Sequence, residues 1–239
     1  MKRAEAVEII RRAVEEGRSF LSLSESFRVL EAYGLPVAKY AVLRGVEDVH
    51  LADSIGYPLV LKLDSPDITH KTEVGGVKVG VASAEELRSS MEDMLSRVRS
   101  LQPGARVAGF IVQELVKGAH EVIIGGLNDA QFGPLVVFGL GGVFVEILRD
   151  VVFELAPVSV EEALEMIKRI RGYRLLEGYR GLGRANLKLL AETISRASLM
   201  FSELSPYVEE MDLNPTFVSD SWIKVVDARF KLAARGAAE

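Results

Sequence analysis

His70 is the residue whose type and setting most directly suggest chemistry. It stands in the polar run 64–73 (DSPDITHKTE), which leads into the sequence Val-Gly-Gly-Val at 74–77. An unperturbed imidazole has a pKa of about 6.5, so near pH 7 it is largely neutral and can act as a nucleophile that accepts a group and passes it on. An ordinary solvated surface histidine is the alternative, and spacing alone does not separate the two.

A second group of candidates lies in the C-terminal run 209–215 (EEMDLNP). Side chains alternate between the two faces of a strand, so Glu210, Asp212 and Asn214 are expected to share one face. Asp227, at the end of the next predicted strand, could join them. Two carboxylates and an amide are hard oxygen ligands of the kind that Mg²⁺ uses beside nucleotide phosphates. A solvated acidic strand face is the alternative.

Two further features could meet phosphate groups. Lys62 lies in the apolar run 58–63 (PLVLKL), where its charge needs either an anion or contact with water. A turn that contains Gly139, Gly141 and Gly142 follows a predicted strand, and glycines let backbone N–H groups approach phosphate oxygens. The third glycine of a dinucleotide-binding fingerprint is missing, and no GxxxxGK[ST] run occurs. A snorkelling lysine and an ordinary tight turn remain the alternatives.

Strands and helices alternate along the chain, so the predicted fold class is α/β or α+β. Ser-x-x-Glu signals at Ser22, Ser83 and Ser159 predict the starts of three helices. Further helices are predicted before Gly17, over 47–55 and over 184–202. Strands are predicted over 37–43, 58–63, 77–81, 106–115, 121–126, 134–138, 208–213 and 222–226, with Pro215 as the end of the seventh. The turn at 102–106 indicates a boundary between two lobes.

The composition excludes several classes of protein. The chain has 239 residues and a net charge of −5, which argues against a nucleic-acid binder. It has no apolar run long enough to predict a membrane span. Cysteine is absent, which excludes thiolate catalysis, disulfides and Cys-ligated zinc within this sequence and favours a cytoplasmic protein.

Taken together and in this order, these segments resemble an ATP-grasp domain. More narrowly, the chain resembles the beta subunit of an ADP-forming acyl-CoA synthetase (acetate–CoA ligase, ADP-forming), in the superfamily of succinyl-CoA synthetases. The resemblance extends from Ser24 to Phe230, and its most specific part is DITHKTEVGGV at 67–77. The other segments that carry it are LPVAKYAVL at 35–43, the run 112–151 with VQELVKGAHE and FGLGGVFVEILRDV, and EEMDLNPTFV at 209–218.

The resemblance implies an ATP-grasp fold of two α+β lobes with the nucleotide between them. The expected parts are a helical extension (1–22), an N-terminal lobe (23–105) with a mobile histidine loop (64–76), and a C-terminal lobe (106–239) with the Mg²⁺ site. The implied contacts with ADP or ATP are Lys62 for the phosphates, Glu114, Leu115 and Val116 as the hinge for the adenine, Glu121 near the ribose, and Gly139, Gly141 and Gly142 near the phosphates. Arg149 lies in the same stretch of the family without an assigned role, and Asp212, Asn214 and Asp227 match the Mg²⁺ ligands.

The implied activity is that of an acid–thiol ligase, ADP-forming. Acyl-CoA, ADP and phosphate give the carboxylic acid, ATP and CoA. The phosphoryl group passes from a histidine of an alpha subunit to His70 and then to ADP. The alpha subunit, which carries the CoA-binding and phosphohistidine domains, is the expected partner in an α2β2 assembly. Two other readings stay open, namely a non-catalytic nucleotide-binding module and a different ATP-grasp carboxylate ligase.

Overall fold

The structure is a computed structural model that describes residues 2–68, 71–142, 150–179 and 183–233. The chain divides into two compact units. Unit 1 draws on 1–21, 26–37 and 118–239, and unit 2 draws on 22–25 and 38–117. None of the described helices is long and apolar enough to cross a membrane.

Unit 2 is built on a four-stranded antiparallel sheet. Its strands are β1 (Tyr40–Leu43), β2 (Leu59–Asp64), β3 (Val77–Val81) and β4 (Gly109–Glu114), in the order β1-β4-β2-β3. Helix α3 (Ala84–Leu101) and a 3₁₀ helix (Val46–Ser54) belong to the same unit, and their apolar residues form one core with Leu61, Leu63 and Phe110. As predicted, Ser83 caps α3, because its side chain accepts a hydrogen bond from the Glu86 N–H at 3.1 Å.

Unit 1 contains a longer antiparallel sheet with helices on one face. The strands are β5 (His120–Asp129), β6 (Gly133–Leu140), β7 (Val151–Leu155), β8 (Val208–Val218), β9 (Ile223–Val225) and β10 (Arg229–Leu232). Their order is β10-β8-β5-β6-β7, and β9 also pairs with β8. The helices are α1 (Lys2–Glu15), α4 (Val160–Arg169), α5 (Tyr173–Leu176) and α6 (Leu187–Leu204), while α2 (Leu23–Ala32) begins in residues grouped with unit 2.

Two contacts show which face of this sheet the helices cover. A Cβ atom added at Gly126 on β5 would lie 2.6 Å from the ring of Phe201, so the α6 ring packs directly on that backbone. On β7, Glu154 points to the same face, because it pairs with Arg169 of α4 at 2.6 Å. Neighbours along a strand alternate between faces, so the side chains of Phe153 and Leu155 point away from the helices.

Strand β8 contains one more residue than the part of β5 opposite to it. Leu213 lies opposite Ile124, and Thr216 lies opposite Val122, so three steps on β8 match two on β5. This is a β-bulge at 214–215. Just before the bulge the odd-numbered residues Met211 and Leu213 are buried, and after it the even-numbered residues Thr216 and Val218 are buried.

The structure differs from the sequence-based prediction in three places. The divide between units falls after Lys117 rather than at 102–106, because β4 pairs with β1 and β2 in the sheet of unit 2. Pro215 does not end β8, since the bulge takes up the proline and the strand continues to Val218. The helical segment 1–22 was expected to be an extension, whereas α1 buries Ala6, Ile10 and Ala13 within unit 1.

Candidate functional site

Lys62 lies on the face of unit 2's sheet that does not contribute to the α3 core. It is 5% exposed, and its neighbours Leu61 and Leu63 point the other way into that core. Its cross-strand partner is Ile111, and two positions further along β4 comes Gln113 on the same face. The sheet therefore places a cationic and an amide side chain close together.

Gln113 is a candidate that the sequence analysis did not identify. Its side chain is 1% exposed, and its Nε2 has no hydrogen-bond acceptor in the part of the chain that the structure describes. A buried donor left in that state costs about 1–3 kcal/mol, which a ligand acceptor would recover. The signal in the sequence is a lone amide residue in the apolar strand FIVQ, immediately before the predicted hinge.

The predicted hinge begins where the β4 ladder stops. The Glu114 side chain is engaged locally, since its Oε1 accepts a hydrogen bond from the Lys39 N–H at 2.6 Å. Leu115 and Val116 follow the strand, and among the described contacts neither backbone N–H donates a hydrogen bond. Their backbone groups are therefore available to the edge of a planar base, as the resemblance implies.

Glu121 and the glycine turn are in direct contact. The Gly141 N–H donates to the Glu121 carbonyl oxygen at 2.8 Å, and a Cβ atom at Gly141 would lie 2.6 Å from the Glu121 Cγ. Gly142 adopts a φ of 61°, a left-handed conformation that favours glycine. Gly139 is the first of the three glycines and lies on β6, where a Cβ atom would be 2.6 Å from the Asp150 carbonyl oxygen. Close packing therefore requires glycine at these positions independently of any phosphate nearby.

Asp212 lies on the face of unit 1's sheet that points away from the helices. Burial raises the pKa of Asp212, the positive charge of Arg229 lowers it, and the negative charges of Asp227 and Glu210 raise it again. The cross-strand partner of Asp212 on β5 is Gly125, which presents no side chain. A Cβ atom on Gly125 would lie 3.3 Å from the Val137 Cβ, so Val137 is the side chain next to the glycine on this face.

Asn214 and Asp227 complete the predicted metal set. Asn214 is exposed in the β8 bulge. The Val226 N–H donates to the Pro215 carbonyl oxygen at 3.1 Å, which brings Asp227 next to the bulge. The negative charge of Asp227 raises the pKa of Asp212, so the two carboxyl groups lie near each other.

The chemistry of this set fits Mg²⁺. Within the described ranges no cluster of three or more His, Cys, Asp or Glu side chains could hold a metal ion. Two carboxylates and an amide match the small number of protein ligands that Mg²⁺ takes when phosphates and water supply the rest. A divalent cation would also offset the repulsion between Asp212 and Asp227.

The segment before His70 is held by buried polar contacts. Asp64 is 1% exposed and accepts hydrogen bonds from the N–H groups of Leu23 at 2.7 Å and Ser24 at 3.2 Å, and from the Ser24 hydroxyl at 2.5 Å. Asp67 accepts three hydrogen bonds from Arg106, two from the guanidinium at 2.9 and 2.6 Å and one from its backbone N–H at 2.7 Å. The predicted loop therefore starts from two fixed carboxylates.

The segment after His70 is also held. The Gly76 N–H donates to the Lys71 carbonyl oxygen at 2.6 Å, and the Gly76 carbonyl oxygen accepts from the Leu63 N–H at 2.8 Å. Val74 is 8% exposed and belongs to the α3 core. Any movement of the whole segment 64–76 must break these contacts. His70 itself, with Thr69, lies outside the described residues, and so does Arg149.

The chain is similar to known proteins over nearly its whole length. A family model described as an ATP-grasp domain matches residues 12–232. The chain is 43% identical over 233 residues to Acetate–CoA ligase (ADP-forming) I of Archaeoglobus fulgidus, a match that covers 97% of this chain but only 34% of that protein. It is 41% identical over 230 residues to the beta subunit of Acetate–CoA ligase (ADP-forming) I of Pyrococcus furiosus, covering 96% of this chain and 98% of that subunit.

Solved structures of one archaeal enzyme are also similar. They show the dinucleotide-forming acetyl-coenzyme A synthetase 1 of Ca. Korarchaeum cryptofilum, and each match covers 95% of this chain and 100% of that one. One, with a TM-score of 0.86 and 39% identity, has a phosphorylated phosphohistidine segment in what is called the site I orientation. Another, with a TM-score of 0.82 and 38% identity, contains Mg-AMPPCP and has that segment pointing towards the nucleotide-binding site.

Proposed function

Because this chain belongs to the ATP-grasp family and, within it, to the beta subunits of ADP-forming acetate–CoA ligases, we propose that it is the nucleotide-binding catalytic subunit of an ADP-forming acyl-CoA synthetase. The observation that carries the proposal is the placement of Asp212 and Asp227 near each other at the β8 bulge, where the charge of Asp227 raises the pKa of Asp212. A Mg-nucleotide is the ligand that this arrangement fits best.

The described residues supply binding and orientation. Asp212, Asn214 and Asp227 would hold Mg²⁺, which when bound screens the negative charge of the phosphates. Lys62 would add a second positive charge, and Gln113 would donate its orphaned N–H to an acceptor on the nucleotide.

The remaining contacts orient the nucleoside. The backbone groups of Leu115 and Val116 would meet the adenine edge, and Glu121, held against Gly141, would lie near the ribose. Phosphoryl transfer requires little covalent help beyond such positioning and charge stabilisation.

His70 is proposed as the phosphoryl carrier. The P–N bond of a phosphohistidine on the partner breaks as a bond to His70 forms. That bond breaks in turn as a terminal phosphate oxygen of ADP takes the group, which gives ATP and restores the neutral imidazole. The two orientations of the phosphohistidine segment in the Korarchaeum enzyme support this relay.

The proposed partner is a subunit with the CoA-binding and phosphohistidine domains, in an α2β2 assembly. The P. furiosus relative is a separate beta subunit. In the longer A. fulgidus relative the matching part is 34% of the protein, and the rest lies outside the match. The absence of cysteine from the sequence is the ground for proposing the cytoplasm as the compartment.

His70→Ala tests the relay. With the partner subunit present, the variant should lose ATP formation from acyl-CoA and acid-labile, base-stable phosphorylation by ATP, while its nucleotide affinity in calorimetry stays within about twofold, because His70 is not a proposed nucleotide ligand. His50→Ala, which removes an exposed histidine from the 3₁₀ helix, is the control and should retain both activities.

Two outcomes would contradict the proposal. Normal turnover of His70→Ala would remove His70 from the reaction. A wild-type chain that binds nucleotide but is never phosphorylated, even with its partner, would favour the non-catalytic module.

A further inference from the structure

The sheet of unit 1 carries an exposed apolar surface on the face opposite to its helices. On the edge strand β7, Phe153 is 51% exposed and Leu155 is 56% exposed. Their cross-strand partners on β6 are Val137 and Leu135, both partly buried. These four residues, Phe153, Leu155, Val137 and Leu135, are called the apolar patch below. A contiguous apolar surface of this kind usually marks an interaction site, whereas scattered single residues do not.

The apolar patch lies in the same cross-strand rows as the proposed metal site. Phe153 is opposite Val137, Val137 is opposite Gly125, and Gly125 is opposite Asp212. Directly opposed residues share a face of the sheet. Three strand spacings separate Phe153 from Asp212, which is roughly 14 Å.

The second row confirms that this is one continuous face. Leu155 is opposite Leu135, which is opposite Leu127, which is opposite Glu210 on β8. Lys231 on β10 ends the row and binds the Glu210 carboxylate at 2.9 Å. The face therefore changes from apolar on β7 and β6 to charged on β8 and β10, with the candidate metal ligand on the charged half.

We propose that the apolar patch is the docking surface for the subunit that carries the CoA-binding and phosphohistidine domains. The inference rests on the proposed function, because that function requires a second protein to bring a phosphoryl group to the nucleotide beside Asp212. A protein bound to Phe153 and Leu155 would lie roughly 14 Å from Asp212, given the strand spacing. One of its loops could span that distance.

The relatives favour this occupant over a second copy of the chain. The matching part is only 34% of the A. fulgidus protein, so about twice its length remains to be placed against it. The P. furiosus subunit matches over 98% of its length as a separate chain. The same module is thus found joined to the rest of a ligase and separate from it, and the separate form needs a non-covalent surface. Aromatic residues such as Phe153 are enriched at protein–protein interfaces relative to the rest of the surface.

Two glutamate substitutions test the docking surface. The chain is purified with the CoA-binding subunit of its own ligase, as wild type and as Phe153→Glu and Leu155→Glu. The dissociation constant of the complex should rise at least about thirtyfold in each variant, since an anchor residue contributes most of the binding energy. ATP formation from acyl-CoA should fall at low protein concentration and recover when the subunit is added in excess.

The control is Phe132→Glu, at the β5–β6 turn, where the phenylalanine is 62% exposed but lies outside both rows. It should leave the complex unchanged. Nucleotide affinity and thermal unfolding of the chain alone should match wild type in all three variants, which excludes a folding defect as the cause. If Phe153→Glu does not fold, Leu155→Glu gives the same answer.

The outcomes separate the two proposals. A wild-type chain that does not bind the subunit overturns the proposed function and the docking surface with it. Binding by wild type with equally tight binding by Phe153→Glu and Leu155→Glu overturns the docking surface alone. Loss of self-association of the chain, with the mixed complex intact, would assign the patch to a second copy and also overturn the proposal.

Discussion

Asp212 on β8 lies directly opposite Arg229 on β10, with Gly125 opposite it on the other side. The guanidinium lowers the pKa of the Asp212 carboxyl and so opposes the effect of burial, which raises it. The glycine adds no side chain to this face, and the Val137 Cβ lies 3.3 Å from the position that a Cβ atom on Gly125 would take. Arg229 therefore favours the charged form of Asp212, which is the form that binds a cation.

Asp212→Asn should weaken Mg-nucleotide binding at least about tenfold, because loss of a residue that merely orients a metal ligand already costs about 10–100-fold. Calorimetry with ADP in Mg²⁺ and again in EDTA measures the effect, and only the Mg²⁺-dependent part should change. Asp220→Asn, an exposed carboxylate in the β8–β9 turn, is the matched control and should bind like wild type. Equal affinities for Asp212→Asn and wild type would remove Asp212 from the metal site.

Gly141→Ala should reduce nucleotide affinity by displacing Glu121. The new methyl group would lie 2.6 Å from the Glu121 Cγ, closer than any Cβ contact tolerates, so the glutamate or the turn must shift. A loss of roughly 1–3 kcal/mol in stability is also expected from overpacking. Gly104→Ala provides the comparison, because no atom lies within 4 Å of the Cβ position there. The prediction fails if the two variants bind nucleotide equally well.

Arg106→Ala should slow phosphoryl transfer through His70 without changing nucleotide affinity. The Arg106 guanidinium makes two hydrogen bonds with Asp67, which lies three residues before His70, so its loss frees the start of that segment. The pair is partly exposed, and its loss should lower the free energy of unfolding by only about 0.2–1 kcal/mol.

A double-mutant cycle provides the control for this pair. Asp67→Ala should slow transfer at least as much as Arg106→Ala, because it also removes the acceptor of the Arg106 backbone N–H, and the double variant should be no slower than Asp67→Ala. Additive effects of the two substitutions on the transfer rate would show that the clasp is not what positions the segment.

Tyr33→Phe should reduce the decrease in the free energy of unfolding that occurs at alkaline pH. Burial and a hydrogen bond to Glu203 raise the pKa of Tyr33 from 10.0 to about 12. The folded protein therefore holds this proton more tightly than the unfolded chain does. The contribution of the Tyr33 hydroxyl to folding stability is complete below pH 10 and is lost as pH rises through the folded pKa near 12.

Denaturant unfolding from pH 8 to 12 measures this effect. Between the two pKa values, the free energy of unfolding should fall more steeply with pH in wild type than in Tyr33→Phe. The difference in slope should correspond to at most one proton. Both proteins share every other titrating group, so parallel curves would contradict the assignment.

Local sequence signals predicted the helix starts and the faces of β8 well. Ser22 and Glu25 form the predicted reciprocal cap, with hydrogen bonds of 2.9 and 3.4 Å, and Ser159 forms the same box with Glu162. Strict alternation placed Asp212 opposite in direction to its buried neighbours Met211 and Leu213. These features depend on residues only a few positions apart, and so the sequence contains what determines them.

Other features depend on partners far along the chain. Strands β7 and β10 were not predicted, because β7 exposes Phe153 and Leu155 and therefore lacks a polar outer face, and β10 is only four residues long. The sequence predicts that Asp64 is the first residue of a polar loop. In the structure it is buried, and it accepts hydrogen bonds from residues about forty positions away. Tertiary pairing decides such positions, and a single sequence does not display it.

The bulge in β8 makes the length of this segment as important as its composition. Deleting one residue between Leu213 and Thr216 would restore simple alternation, carry Thr216 and Val218 out of the core, and reverse the side of the sheet to which the following turn delivers Asp227. Homologues and engineered variants should therefore tolerate many single replacements here but no insertion or deletion. In a scan of single-residue insertions and deletions, changes within 213–216 should abolish function. Length changes on either side of this segment should be accepted.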